Sequence, residues 1–117
     1  MTTPTAAVVR QARDFLAEDS RRWTRHGYAF NAYDRTTSPT DPAAVQWCMV
    51  GAIARCAGVG DDDGVCSLST ELSSLAYGAD LLPQGTVLDV NDEGTYASVL
   101  EYMGRLADAL EREEAAS

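Results

Sequence analysis

Lysine is absent from this 117-residue chain: all nine basic residues are arginine, against 18 acids, one histidine and three cysteines. Each scarcity excludes something. One histidine and three scattered cysteines supply too few donors for a zinc site, and neither a His-x-x-x-His nor a Cys-x-x-Cys pair occurs. An odd cysteine count makes no disulfide framework. Cys48 and Cys56 fall on what reads as one helix, where they would sit about 12 Å apart, too far to bond. No apolar run is long enough to span a bilayer, so no membrane partner is expected. No leader pattern opens the chain, because Met1-Thr2-Thr3-Pro4 runs straight into an amphipathic segment carrying Arg10 and Arg13. The expected setting is the cytoplasm, with free thiols. Neither a glycine-rich phosphate loop nor a Gly-x-Ser-x-Gly elbow is present, and no cofactor or metal is expected.

What is present is acid, unevenly spread. Residues 1–40 hold six arginines and four acids; residues 41–117 hold three arginines and fourteen acids. A field of that sign repels nucleic acid and suits a basic protein surface. Asp61-Asp62-Asp63 is its densest run and reads as part of an acidic loop, a candidate contact surface.

Apolar residues make up 45% of the chain, enough for one modest core in a single domain over residues 1–117. Residues 41–58 carry full helix punctuation: Asp41 as N-cap, Pro42 at the first helical position and Gly58 for a left-handed end. Between them only Gln46 and Arg55 are clearly polar, which predicts a buried central helix. Thr3-Pro4 opens an earlier helix that uses Val8, Val9, Ala12, Phe15, Leu16 and Trp23, with Arg21 and Arg22 on its solvated face. Residues 28–33 and 86–90 read as short strands that could pair. Ser67 reads as the cap of a third helix. Asn91-Asp92 opens the last one, and residues 111–117 are expected to fray. The fold expected is mainly α: a small orthogonal or four-helix bundle around residues 41–58, with room for a two-stranded β-ribbon.

Two stretches, Trp47-Cys48-x-x-Gly51-Ala52 and Asn91-Asp92, resemble an uncharacterised group of short actinobacterial and actinobacteriophage proteins, domain-of-unknown-function family 6197. The likeness covers most of the chain. It departs in the longer aromatic loop at residues 28–40, and in Glu93-Gly94-Thr95, where a Gly-Arg-Thr-like turn is expected. The resemblance implies a bacterial or phage cytoplasmic protein, which the lack of lysine suits through a GC-rich genome. It implies no activity.

Chemistry has few places to reside. Cys48 is the candidate nucleophile, with His26 as base and Asn91 or Asp92 to orient it. Placed in the second turn of an apolar helix, however, Cys48 reads as a buried structural thiol. Mid-helix Gly51 costs about 1 kcal/mol relative to alanine, which points to another backbone or a ring packed against it, with Trp23 or Trp47 as candidates to fill the notch. Asp89-x-Asn91-x-Glu93-Gly94 nearly matches the start of a calcium loop, but its twelfth position is Leu100; capping is the simpler reading. The leading expectation is an acidic, non-catalytic binding protein that docks on and modulates a protein with a basic surface. Alternatives are a nucleotide-like metabolite bound in an aromatic cleft of Trp23, Tyr28, Phe30, Trp47, Asn91 and Asp92, a thiol-dependent enzyme, and self-association as a homodimer.

Overall fold

The helix at the centre of the fold begins at Met49, not at Pro42. In the computed structural model, which describes residues 4–116, α2 runs over Met49–Ala57 and is capped by Cys48. Asp41 does not cap a helix. Its carboxylate accepts from the Ala43 N–H (2.8 Å) and the Thr37 hydroxyl (2.9 Å), and its carbonyl closes a turn onto the Ala44 N–H. An Asp-Pro pair serves the first positions of a β-turn as well as those of a helix, and here it serves the turn. Residues Ala44–Trp47 then form β2, antiparallel to β1 (Ala29–Asn31). Ala44 and Trp47 are buried in the core while Val45 is exposed. Residues 41–58 are apolar nearly throughout because they hold a strand and then a buried helix.

The two-stranded ribbon therefore exists, with a partner different from the one expected. Thr86 caps a helix, α4 (Val87–Glu93), and residues 87–90 lie within it; the Asp89 carboxylate accepts from the Thr86 N–H (2.9 Å) and Ser73 accepts from the Val87 N–H (3.1 Å). The first helix, α1, is Ala6–Ala17 with Thr5 as its cap. The expected cap, Thr3, lies outside the described residues. The helix also stops short of Trp23, because a 3-10 turn at Ser20–Arg22 capped by Asp19 redirects the chain. Helix α3 spans Asp62–Gly78 and starts at its cap Asp61, whose carboxylate accepts from the Gly64 N–H (2.9 Å), six residues before Ser67. Helix α5 is Tyr96–Ala116, opened by reciprocal hydrogen bonds between Thr95 and Ser98. Residues 111–116 continue that helix. Glu111 holds Arg10 (2.6 Å), and Glu114 accepts from the Ala6 N–H (2.9 Å), at the orphan-donor end of α1.

Among the described residues the protein is thus mainly helical, with five α-helices and one antiparallel ribbon. Helix α1 packs on α2 and α5, and α3 closes the other side of α2. Leu16, Met49, Ile53, Leu72, Met103 and Leu106 are the large, fully buried apolar side chains at the centre. The Cα radius of gyration, 13.0 Å, suits a compact chain of this length. Gly58, at φ 74, ends α2 in the left-handed conformation expected of it.

Gly51 is where the ribbon meets the helix. A Cβ there would overlap the Tyr28 carbonyl oxygen, which accepts from the Cys48 N–H at 3.2 Å. The close neighbour is the Tyr28 backbone, not the Trp23 or Trp47 ring expected there, and backbone has little room to yield. We expect Gly51→Ala to destabilise the fold by roughly 2–4 kcal/mol despite alanine's helix propensity. Gly104 in α5 is a control: a Cβ there meets only Arg13 Nε at 3.7 Å. Gly104→Ala should stabilise by roughly 0.5–1 kcal/mol. Urea denaturation of both variants checks the pair, and equal effects of the two would contradict the packing account.

Candidate functional site

The residues that carry the family resemblance converge on the N-terminus of α2. A helix starts with N–H groups that have no partner inside it. Cys48 adopts an extended backbone (φ −77, ψ 177), and its sulfur accepts from the Gly51 N–H at 3.3 Å. Asn91, on α4, supplies the next acceptor. Its Oδ1 takes the Met49 N–H (2.9 Å) and the Trp23 indole N–H (2.8 Å). Its Nδ2 donates to the Thr24 carbonyl (3.0 Å) and to Asp92 (3.1 Å). Asn91 is completely buried, and all four of its side-chain hydrogen-bonding positions are filled. Asp92 in turn accepts from the His26 backbone N–H at 2.9 Å. This one joint ties the segment after α1, the start of α2 and the end of α4.

Cys48 does sit at a helix N-terminus, contrary to the sequence-based placement in a second turn. Its thiol is nonetheless pushed up to about 11, because burial outweighs the N–H donors around it. At 1% exposure it is closed to solvent. His26 lies on the surface, its side chain 76% exposed and 3.6 Å from the Asp92 carboxylate. Cys48 and His26 share no hydrogen bond, and the Asn91 amide, the expected orienting group for an imidazole, is spent on other groups. The assembly holds backbone in place; it does not activate a thiol.

The six expected cleft residues are brought near one another, as packing. The Trp23 indole bonds to Asn91, with Arg25 4.8 Å above the ring. Trp47 donates to the Pro39 carbonyl (2.9 Å) and meets Phe15 edge-on at 4.9 Å. The Tyr28 hydroxyl lies 3.7 Å from Cys66 Sγ, and burial pushes it up to about 12. The Phe30 ring covers Gly27. Asp61 caps α3, with Asp62 and Asp63 in its first turn, where their charges suit the helix dipole. The near-calcium stretch at residues 89–94 is mostly helix α4, its Asn91 turned into the core. Among the described residues no group of three or more His, Cys, Asp or Glu side chains is placed to hold a metal ion.

A groove that sequence reasoning missed lies beside the joint. About 650 Å³ in volume, it is lined by Phe15, Arg21, Arg22, Gln46, Trp47 and Arg55, among others. The Arg22 and Arg55 guanidiniums stand 4.3 and 4.0 Å from the centroid of the same Phe15 ring. Arg21 and Arg22 read in sequence as a solvated helical face, and the 3-10 turn is what redirects them. The one available signal was Arg55, a charge in an otherwise apolar helix.

The fold and joint describe a small, mainly helical protein organised around a capped, buried helix. The chain belongs to the family of unknown function DUF6197, which matches residues 1–109. No curated protein and no solved structure matches it. No helix among the described residues is long and apolar enough to cross a membrane.

Because burial raises the Cys48 pKa, the fold favours the protonated thiol. That contribution is complete below the ordinary thiol range and is lost as pH rises toward 11. Half-buried Cys56 is raised too, and Tyr28 adds a decline at higher pH. We expect stability to fall from pH about 8.5 upward, and Cys48→Ser to make that fall shallower. In native protein at neutral pH, exposed Cys66 should alkylate first and Cys48 only on unfolding. Peptide mapping after timed alkylation reads this directly, and early labelling of Cys48 would contradict its structural role.

Proposed function

We propose that this is a non-catalytic binding protein that docks on a basic protein surface and modulates that partner in the cytoplasm of an actinobacterium or its phage. The observation that carries the reading is the outer face of α3. Asp63, Cys66, Thr70, Ser74 and Tyr77 recur at helical spacing and are all exposed. Tyr77 is 67% exposed, an aromatic ring with a polar tip of the kind that anchors protein interfaces. Carboxylates bracket it. Asp62 and Asp63 stand at the start of α3, Glu71 on the helix and Asp80 just beyond it, and none of the four makes a side-chain hydrogen bond or ion pair with another described residue. Repulsion among these unpaired charges is relieved by a cationic partner, which also gains association rate from their summed field.

A second reading, a small-molecule binding protein, is favoured by the groove at Arg55. Its volume lies in the range of ligand pockets, and it joins aromatic rings to charged and amide groups.

Native mass spectrometry of gently purified protein tests the docking reading. We expect a basic protein to co-purify with wild type, and Tyr77→Ala or the Asp62→Lys/Asp63→Lys double variant to lower its occupancy at least tenfold. Rising salt should release it. A partner retained equally by all variants would overturn the assignment to α3.

A further inference from the structure

We propose that the groove beside α2 is an oxyanion-binding site in which Arg55 is the anchor, taking the phosphate or carboxylate group of a small molecule. The inference rests on the ligand reading above and gives it a chemistry. The chain has 18 acids and nine arginines, yet Arg21, Arg22 and Arg55 line one groove, with Asp19 and Asp34 as its acids. The three arginines are not equivalent. Arg21 is gripped by Asp19 through Nε (3.1 Å) and Nη2 (2.8 Å). Arg22 is held by Glu18 (2.6 Å) and the Phe15 carbonyl (2.9 Å). Arg55 has no carboxylate partner among the described residues; apart from the neighbouring Cys56 thiol, its contacts are the rings of Phe15 (4.0 Å) and Trp47 (5.5 Å).

That difference matters for three reasons. A guanidinium stacked on a ring keeps its N–H fork in its own plane, free to make two parallel bonds to an oxyanion. Stacking also fixes a side chain that would otherwise lose rotamer freedom on binding, so the cost of association falls. Finally, Arg22 and Arg55 share the Phe15 ring at distances over which like charges repel, and only Arg22 has a carboxylate to balance it. An anion at Arg55 removes the imbalance. The last turn of α2 favours a cation at this position, which accounts for the charge but not for its two rings. Neutral donors complete the lining. Among the described residues the Asn31 Oδ1 is used by the Tyr33 and Arg35 N–H groups while its Nδ2 makes no bond, and the Gln46 amide makes only a long contact of 3.4 Å to the Arg21 carbonyl.

The test is a 15N NMR titration of the whole chain with pyrophosphate and, separately, with citrate, at ionic strength held constant by chloride. We expect saturable shifts confined to Arg21, Arg22, Gln46, the Trp47 indole and Arg55. Saturation by pyrophosphate alone identifies a phosphate-bearing ligand, and by citrate alone a carboxylate-bearing one; either supports the site. Arg55→Gln should weaken binding at least tenfold, and Arg55→Lys, which keeps charge but not the fork, should recover only part of it. Arg112→Gln on α5 should change nothing. If Arg55→Gln does not fold, Arg21→Gln and the wild-type shift map decide in its place. Shifts that never saturate, or that spread over all the arginines, overturn the oxyanion site. A neutral metabolite that stabilises wild type and Arg55→Gln equally, and shifts the groove residues, would keep the ligand reading and overturn the anion anchor alone.

Discussion

The Asn91 side chain is the constraint on which the rest of the structure depends. Its oxygen meets two donors from separate parts of the chain, the Trp23 indole and the first N–H of α2, while its nitrogen meets the Thr24 carbonyl and Asp92. A buried amide with four bonds of good length is a net gain, and the same amide with any of them missing is a penalty, so the three segments form together or not at all. Cys48 completes the helix start by taking the Gly51 N–H, and Gly51 lets the Tyr28 carbonyl approach closely enough to receive the Cys48 N–H. The Trp-Cys-x-x-Gly-Ala and Asn-Asp stretches are therefore the two halves of one joint.

This changes what the family resemblance can be asked to explain. Residues that look like a thiol nucleophile and its orienting amide are spent on holding backbone. Their chemistry, a thiol raised by burial and an amide with no free position, is that of a structural lock. In the binding reading proposed above, recognition falls to surfaces built on the lock: the outer stripe of α3 ending at Tyr77, and the groove into which α2 carries Arg55.

Much of the architecture was legible in the sequence, and the misses share a cause. The helical class, the left-handed end at Gly58, the apolar face of α1 and the presence, though not the identity, of a close neighbour at Gly51 all follow from periodicity and glycine chemistry. Asp41-Pro42 misled because the same pair starts a turn or a helix, and tertiary pairing with residues 29–31 selected the turn. Thr86-Val87-Leu88-Asp89-Val90 has strand-like residues, but a local Thr86–Asp89 bond and packing against α3 made it helix. Cys48 as a cap was hidden because sulfur is a weak acceptor and does not rank among capping residues. The groove was hidden for a different reason. Phe15 and Arg22 lie seven residues apart, but Arg55 is distant from both in sequence, and the three meet only in the folded chain, where the 3-10 turn after α1 redirects Arg22.

The most direct measurement is hydrogen exchange at two protons that end on Asn91, the Met49 amide and the Trp23 indole N–H, followed by NMR in native conditions. If Asn91 locks the fold, both exchange only with global unfolding, at the rate of the slowest core amides of α2, and both slow or quicken together as stability is changed. If either exchanges at the rate of a surface amide while the core stays protected, the joint opens on its own, and the fold does not depend on it.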